Sequence, residues 1–201
     1  MDNICVIPNA NTFSTHQTAA LNARRVIAIG RYNYQKGFDR LIKAWKTVNQ
    51  VCPEWTLDII GEGEDKARLQ SLINYEKLNG SVRLMPATSD IENVYLGASV
   101  VAMSSHYEGL PMVLLEAQSF GLPIVAFACQ CGPKDVITDG ETGFLVPEGE
   151  VEGLADRLIT VMEDDNLRLS MGKKAKEASH RYEERGMMQL WMETFQTVME
   201  Q

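Results

Sequence analysis

Cationic residues are in short supply: 19 lysines and arginines stand against 27 aspartates and glutamates, a net charge of −8. Such a balance excludes nonspecific binding to nucleic acid or to anionic membrane, since both require an excess of positive charge. Any polyanionic ligand must therefore meet a local cluster of cations. No apolar run approaches the roughly 20 residues that span a bilayer, and the N-terminus lacks the charged-then-apolar pattern of a secretory signal. Cysteine is scarce too. Cys5, Cys52, Cys129 and Cys131 show no zinc-ligand spacing, and Cys129-x-Cys131 has neither a second pair nor a nearby histidine. These read as reduced cytosolic thiols, two of them at the end of a buried strand.

Several signatures are missing outright. No two aspartates stand in a D-x-D arrangement, the usual acidic site for a divalent metal on a sugar-nucleotide diphosphate. There is no Walker A sequence and no G-x-S-x-G elbow. "GEGEDK" (61–66) opens like G-x-G-x-x-G but lacks the third glycine and follows the second strand candidate rather than the first. The histidines, His16, His106 and His180, are scattered. Only His106, beside Tyr107 and Glu108, is placed to reach a ligand, and a supporting or surface role is expected of it.

What is present is an ordinary globular composition, 45% hydrophobic and 23% charged, in 201 residues. That length suffices for one generous domain with a buried core. Short β-branched runs, "VIAIG" (26–30), "TLDIIG" (56–61), "VRLM" (82–85), "VVAM" (100–103), "PIVAF" (123–127) and the weaker "GFLV" (143–146), read as strands. Helical spacing separates them, as in Phe38, Leu41, Ile42, Trp45 and Val48, or Leu154, Leu158 and Val161. Alternation of this kind predicts an α/β, Rossmann-like, doubly wound parallel sheet with ligands at the carboxyl ends of its strands. Residues 1–25 are polar and turn-rich, a connector or edge segment, and 26–180 form the compact pattern. Residues 181–201 form an amphipathic helix with Met188, Trp191, Met192, Phe195 and Val198 on one face, beyond that pattern.

The chemistry concentrates in two places. "SSHYEGLPMVLLEAQSFG" (104–121) predicts a nearly all-apolar helix from Pro111 to Phe120, yet it carries Glu116, with Glu108 in the approach loop. Pro111 suits a first turn, and the amides of Met112 and Val113 would make an anion site at the helix N-terminus. A carboxylate on a helix expected to be buried needs donors, and a ribose diol supplies two O–H groups; a structural Arg or Lys, or a view of solvent, would serve Glu116 as well. In "GRYNYQKG" (30–37), Gly30 ends the first strand and lets a ligand approach the backbone. Arg31 and Lys36 follow, a fork and a point charge suited to a departing diphosphate, although loop cations are also ordinary surface groups.

Taken together, "GRYNYQKGFDRLIKAW", "IIGEGED", "ENVYLGASVVAMSSHYEGLPMVLLEAQSFGLPIVAF" and "VITDGETGFLVPEG" resemble, in order and spacing, the C-terminal, donor-binding domain of a retaining GT-B glycosyltransferase of family 4, the glycosyl transferases group 1. The likeness covers roughly residues 5 to 200, and "CVIPNA" resembles that family's interdomain hinge. The resemblance implies that Arg31 and Lys36 hold the diphosphate of a nucleotide-sugar donor and that Glu108, followed by Gly109, touches the donor sugar. It implies that the Met112 and Val113 amides take the distal phosphate, Glu116 the ribose, and backbone near Thr88 the base. It further implies no cofactor and no metal, the nucleotide-diphosphate sugar being substrate. Pro111 stands where many members have glycine, which removes one N–H from the sugar site. "ACQCGPKDVI" (128–137) looks like members using uridine-diphosphate hexoses or N-acetylhexosamines.

The expected activity is hexosyl transfer to a glycan or lipid-linked acceptor, in polysaccharide or cell-surface glycan synthesis. Expected partners are the donor and an N-terminal acceptor domain not in this sequence, with no nucleic acid. Without that domain the fragment is expected to be inactive, its C-terminal helix leaving an apolar patch open to self-association. The expected location is the cytoplasm, with any membrane contact made through the absent domain at the cytoplasmic face. An epimerase or hydrolase of the same architecture, or a binding-only nucleotide module, are the competing readings. The Arg31/Lys36 and Glu108/Glu116 spacing favours transfer.

Overall fold

In the computed structural model, residues 5–11, 13 and 15–199 are described. Residues 1–4, 12 and 14 of the expected connector, and residues 200 and 201 of the expected C-terminal helix, lie outside them. The β-branched runs form six parallel strands: β1 (Arg25–Ile29), β2 (Thr56–Ile60), β3 (Val82–Met85), β4 (Val100–Met103), β5 (Ile124–Phe127) and β6 (Gly143–Val146). Their order is β3-β2-β1-β4-β5-β6, the doubly wound arrangement, with the winding reversing between β1 and β4. Each expected strand is present, including the weak sixth, with ends shifted by at most one residue.

Successive strand residues point to opposite faces, so the sheet feeds two cores. Val26 and Ala28 pack with Phe38, Leu41 and Trp45 of α1 (Phe38–Val51) and with Leu154 and Leu158 of α6 (Val151–Glu163). Ile27 joins the other side with Tyr95 of α3 (Ile91–Leu96) and with Leu114, Leu115 and Phe120 in and beside α4 (Met112–Ser119). Each such side chain buried contributes about 1.5–3 kcal/mol. The remaining helices are α2 (Lys66–Tyr75), the single turn α5 (Pro133–Val136), α7 (Asp165–Ser179), which packs on α4, and α8 (Glu184–Met199).

One buried charge lies within the sheet. Asp58, at the centre of β2 and 1% exposed, accepts from Arg25 Nε at 2.7 Å and from Arg83 Nε at 2.6 Å, one arginine on each neighbouring strand. Arg25 also reaches Gly97 O at 3.4 Å, tying the end of α3 to the sheet. The described part of the N-terminal segment forms no helix or strand before β1; it lies along α4 and the α7 end, with Asn11 N bonded to Tyr182 O and Ala19 N to Phe120 O. On α8 only Met187 is buried, and Met188, Trp191, Met192, Phe195 and Val198 are all exposed. Among the described residues, no helix is long and apolar enough to cross a membrane.

At the carboxyl ends the loops after β1 and β2 touch backbone to backbone. A Cβ on Gly61, whose φ is +156°, would lie 1.9 Å from Gly30 O. The glycine pair that looks like half a dinucleotide fingerprint thus serves loop-against-loop packing. Gly61→Ala is expected to cost about 3 kcal/mol, whereas Gly80→Ala, at an open site, stays within about 0.5 kcal/mol; urea denaturation of both variants checks the contrast.

Candidate functional site

The loop leaving β1 is built from below by Tyr32. Its ring is fully buried, and its hydroxyl lies 2.8 Å from Ile59 O and 2.6 Å from Met85 O, at the ends of β2 and β3. Burial pushes this phenol's pKa up to about 12, so it remains a protonated donor. The loop then makes one 3-10 turn, Tyr34–Lys36, whose end Asn33 caps by accepting from Lys36 N at 3.2 Å. Gly37 closes the turn at φ +58°, where a Cβ would sit 2.4 Å from Ser104 O. The β1 loop can lie this close to the β4 loop only because that position has no side chain.

The two loops are stitched across the reversal point. Ser104 Oγ donates to Lys36 O at 3.0 Å, His106 N to Gln35 O at 2.8 Å, and Arg40 Nη2, from α1, to Ser104 O at 2.6 Å. The Lys36 stem lies over Gly30, since a Cβ there would come within 3.0 Å of Lys36 Cε. Its ammonium ends 2.7 Å from Glu108 Oε1, and Ser105 Oγ donates to that same oxygen at 2.7 Å. The Glu108 side chain is 7% exposed and that of Lys36 is 19% exposed. A carboxylate this buried requires its cation nearby.

Beside this pair lies a cleft of roughly 300 Å³, lined among others by Gly30, Arg31, Gly61, Glu62, Thr88 and Ile91. A second hollow of roughly 350 Å³ continues past Ile60 and Thr88 to Pro86 and Asn93. Arg31 is exposed at the mouth. Thr88 uses its hydroxyl to accept from Asp90 N at 3.0 Å. A larger hollow, roughly 540 Å³, is at the opposite, amino end of the sheet around Trp55 and Arg168. There Arg168 is spent on the carbonyls of Leu21, Val161 and Met162 and on Asp165, a brace rather than a ligand site.

Beyond Glu108 the chain passes Gly109, where a Cβ would meet nothing within 4 Å, to α4. Pro111 is extended (φ −76°, ψ 97°) and caps the helix from outside, correcting the expectation that it fills the first turn. The helix therefore starts at Met112, and Met112 and Val113 hold the two positions whose amides have no intrahelical acceptor. Glu116 is half-buried, and its Oε2 accepts from Tyr95 OH at 2.7 Å. Tyr95 is fully buried and stacked on Phe120, ring centres 5.1 Å apart. Burial first, then the neighbouring carboxylate, raises its pKa well above that of a free tyrosine.

The structure thus brings Gly30, Arg31, Lys36, Thr88 and Glu108 to one edge of the sheet, with Gly109, Met112 and Val113 continuing directly from Glu108. Glu116 turns toward α3 and meets Tyr95. Tyr32, Arg40, Tyr95 and Ser105 shape this edge and were not singled out from sequence. Tyr32, Arg40 and Tyr95 act by contacts distant along the chain, so no local spacing announces them, and Ser105 acts on Glu108 three residues on. His106 stacks on Tyr34 at 4.2 Å and takes no part in the ion pair. Cys129 is buried, which raises its thiol pKa, and Cys131 is exposed; all four cysteines are free. Among the described residues, no group of three or more His, Cys, Asp and Glu side chains is arranged to hold a metal ion.

Residues 11–178 match the profile of the family described as glycosyl transferases group 1. The chain belongs to that family. It is 34% identical over 94% of its length to an uncharacterised glycosyltransferase of Haemophilus influenzae, of which it covers 54%. It is also 34% identical, over 95% of its length, to the amylovoran biosynthesis glycosyltransferase AmsD of Erwinia amylovora, of which it covers 55%. The chain therefore spans about half the length of these two relatives. Among solved structures, S. aureus TarM, in complex with fondaparinux, α-GlcNAc-glycerol and UDP, superposes with a TM-score of 0.83 at 26% identity, over 95% of this chain and 38% of that one. Anabaena HepE, in complex with UDP-glucose, gives 0.79 at 27% identity, over 88% of this chain and 49% of that one. The fold is that of one Rossmann-like half of a GT-B glycosyltransferase.

Lys36→Met, which leaves the Glu108 carboxylate buried without its cation, is expected to destabilise the protein by about 2 kcal/mol. Adding Glu108→Gln should return about half of that loss, a double-mutant cycle in urea being the check. His106 has a pKa lowered by burial and by Arg40, so its neutral form is favoured in the folded state. Its contribution is intact above the ordinary histidine pKa and is lost as pH falls through the depressed folded value. His106→Gln should consequently show a smaller drop in Tm between neutral and mildly acidic pH than the unaltered protein.

Proposed function

We propose that this chain is the donor-binding half of a retaining glycosyltransferase that moves a hexosyl unit from a nucleotide-diphosphate sugar, UDP-sugar favoured, to a glycan or lipid-linked acceptor in polysaccharide or cell-surface glycan synthesis. The observation that carries the reading is the Lys36–Glu108–Ser105 cluster at the winding reversal, flanked by the Arg31 cleft on one side and the α4 N-terminus on the other. Open α/β sheets bind ligands at such a point. The UDP and UDP-glucose complexes of TarM and HepE support a uridine nucleotide.

In this reading the diphosphate lies over Gly30, met by the Arg31 fork and by Lys36. An ammonium has three donors, so Lys36 can hold Glu108 and a phosphate oxygen together. As the sugar–phosphate bond breaks, negative charge grows on the diphosphate, and Arg31, Lys36 and the Met112 and Val113 amides stabilise it without a metal. Glu108, held by Lys36 and Ser105, faces the donor-sugar hydroxyls. Glu116 takes the ribose diol, and the base extends into the cleft at Thr88. The acceptor would be bound by an N-terminal domain outside this sequence, toward which the apolar face of α8 would turn. The chain alone then binds donor in the cytoplasm and transfers nothing.

Calorimetry with UDP in the presence of EDTA tests this. Binding is expected without metal, with Glu116→Ala weaker by roughly 10-fold or more, the scale of hydrogen bonds to a charged group. Equal affinity in that variant would remove the ribose role, and a strict metal requirement would remove the metal-free mechanism.

A further inference from the structure

Glu116 lies on an otherwise apolar helix, and its hydroxyl donor belongs to a different helix. Tyr95 sits at the last turn of α3, wholly buried, and reaches Glu116 Oε2 at 2.7 Å. Its ring is locked from three directions. Phe120 of the same helical segment as Glu116 stacks against it at 5.1 Å, inclined by 12°. Phe13 of the N-terminal segment meets both rings edge-on, at 6.4 Å from Tyr95 and 5.3 Å from Phe120. Below, Gly97 N bonds Asn93 O at 3.0 Å, and Gly97 O takes Arg25, itself anchored on buried Asp58. A tyrosine so fixed leaves its hydroxyl one place to go.

We propose that Tyr95 is a positioning residue for nucleotide recognition: it fixes the Glu116 carboxylate in the orientation that meets the ribose diol. The inference rests on the ribose role of Glu116 given above. Carboxylate rotation about its terminal bond is broad and inexpensive, so an unrestrained Glu116 would meet a diol in many poses. A hydroxyl donor fixed on one oxygen removes that freedom before the ligand arrives, which favours binding because less ordering remains to be done. A neutral donor suits the task better than a lysine or arginine. It orients the carboxylate without itself neutralising the charge, and hydrogen bonds from ribose hydroxyls to an ionised acceptor are stronger than to a neutral one. Burial, then the neighbouring carboxylate, raises the phenol's pKa and so favours the protonated, donating form. The same α3 begins at Ile91, which lines the cleft beside Thr88, so one short helix carries both the wall of the cleft and the residue that aims the carboxylate.

A purely structural Tyr95 would affect every ligand alike, whereas a positioning one acts only on ligands with ribose hydroxyls. The experiment compares calorimetric affinities for UDP and for its dideoxyribose analogue, which lacks both hydroxyls. The unaltered protein should prefer UDP, and Glu116→Gln should abolish that preference. Tyr95→Phe, which keeps the ring and removes the donor, should lose roughly 5- to 20-fold in UDP affinity with the analogue's affinity unchanged. Combined with Glu116→Gln, it should cost nothing further. Para-aminophenylalanine in place of Tyr95 keeps a donor at the ring tip and should restore most of the preference, which also keeps the test open if Tyr95→Phe does not fold. Tyr95→Phe binding UDP like the unaltered protein, or weakening UDP and analogue equally, overturns the proposal, as does failure of the amino variant to restore the preference. If the unaltered protein does not discriminate the two ligands, or Glu116→Gln leaves discrimination intact, the ribose reading itself fails and this one falls with it. That outcome is recognised without any change at Tyr95.

Discussion

A carboxylate buried at the rim of a sheet needs its cation within reach, and the Lys36–Glu108 contact meets that need across the point where the winding reverses. In a doubly wound sheet, the connections after β1 and β4 depart to opposite faces, so a crevice opens between them. Left alone, two such loops would have little to hold them in register. Here Gly37 permits backbone contact, Ser104 and Arg40 bind the facing carbonyls, and the ion pair closes the seam. In the proposed reading, the same atoms that hold the crevice in shape are those offered to the donor. Fold stability and recognition would then draw on one interaction at this edge.

Comparison with Asp58 separates a charge that builds the sheet from the charges proposed to face a ligand. Asp58 lies mid-strand, is 1% exposed, and is saturated by arginines from β1 and β3, leaving it nothing to offer. Glu108 lies in a loop just past a strand end and concentrates Lys36 and Ser105 on one oxygen, Oε1. Arg168, at the amino end, repeats the Asp58 pattern with carbonyls. Buried charge alone therefore says little about function. Its position relative to the carboxyl ends of the strands, and how its hydrogen-bonding capacity is distributed, say much more.

The strands were legible because buried parallel strands read as short apolar, β-branched runs; β4 and β5 are buried throughout, and β2 and β3 keep the pattern despite Asp58 and Arg83. The Arg31/Lys36 and Glu108/Glu116 positions were legible because ends of strands and starts of helices are where glycine, proline and isolated charges break an apolar pattern. The start of α4 was misread by one position, because proline fits both a cap and a first turn and only the backbone angles decide. The Tyr95 contact of Glu116 was out of reach of sequence periodicity: Tyr95 lies 21 residues upstream on another helix and reads as one more core aromatic. Pairings of that kind arise from tertiary packing, which spacing along the chain does not encode.

In the proposed donor-binding reading, a chain of net charge −8 must handle a diphosphate, an electrostatic problem that its layout answers. The mean field of the surface repels a polyanion, so attraction must come from short-range, partly desolvated groups, where the effective dielectric is lower and salt screens less. Arg31, Lys36 and the first amides of α4 are all held at the β1 and β4 edge, while most of the acidic excess lies on exposed helices and loops elsewhere. A free phosphate gains little from so small a cationic patch. In that reading a nucleotide sugar would gain from the patch, from Glu108 and Glu116 on its hydroxyls, and from the apolar cleft at Thr88 and Ile91 together. Selectivity for the whole donor over its phosphate fragment would then follow from keeping the positive charge scarce and localised.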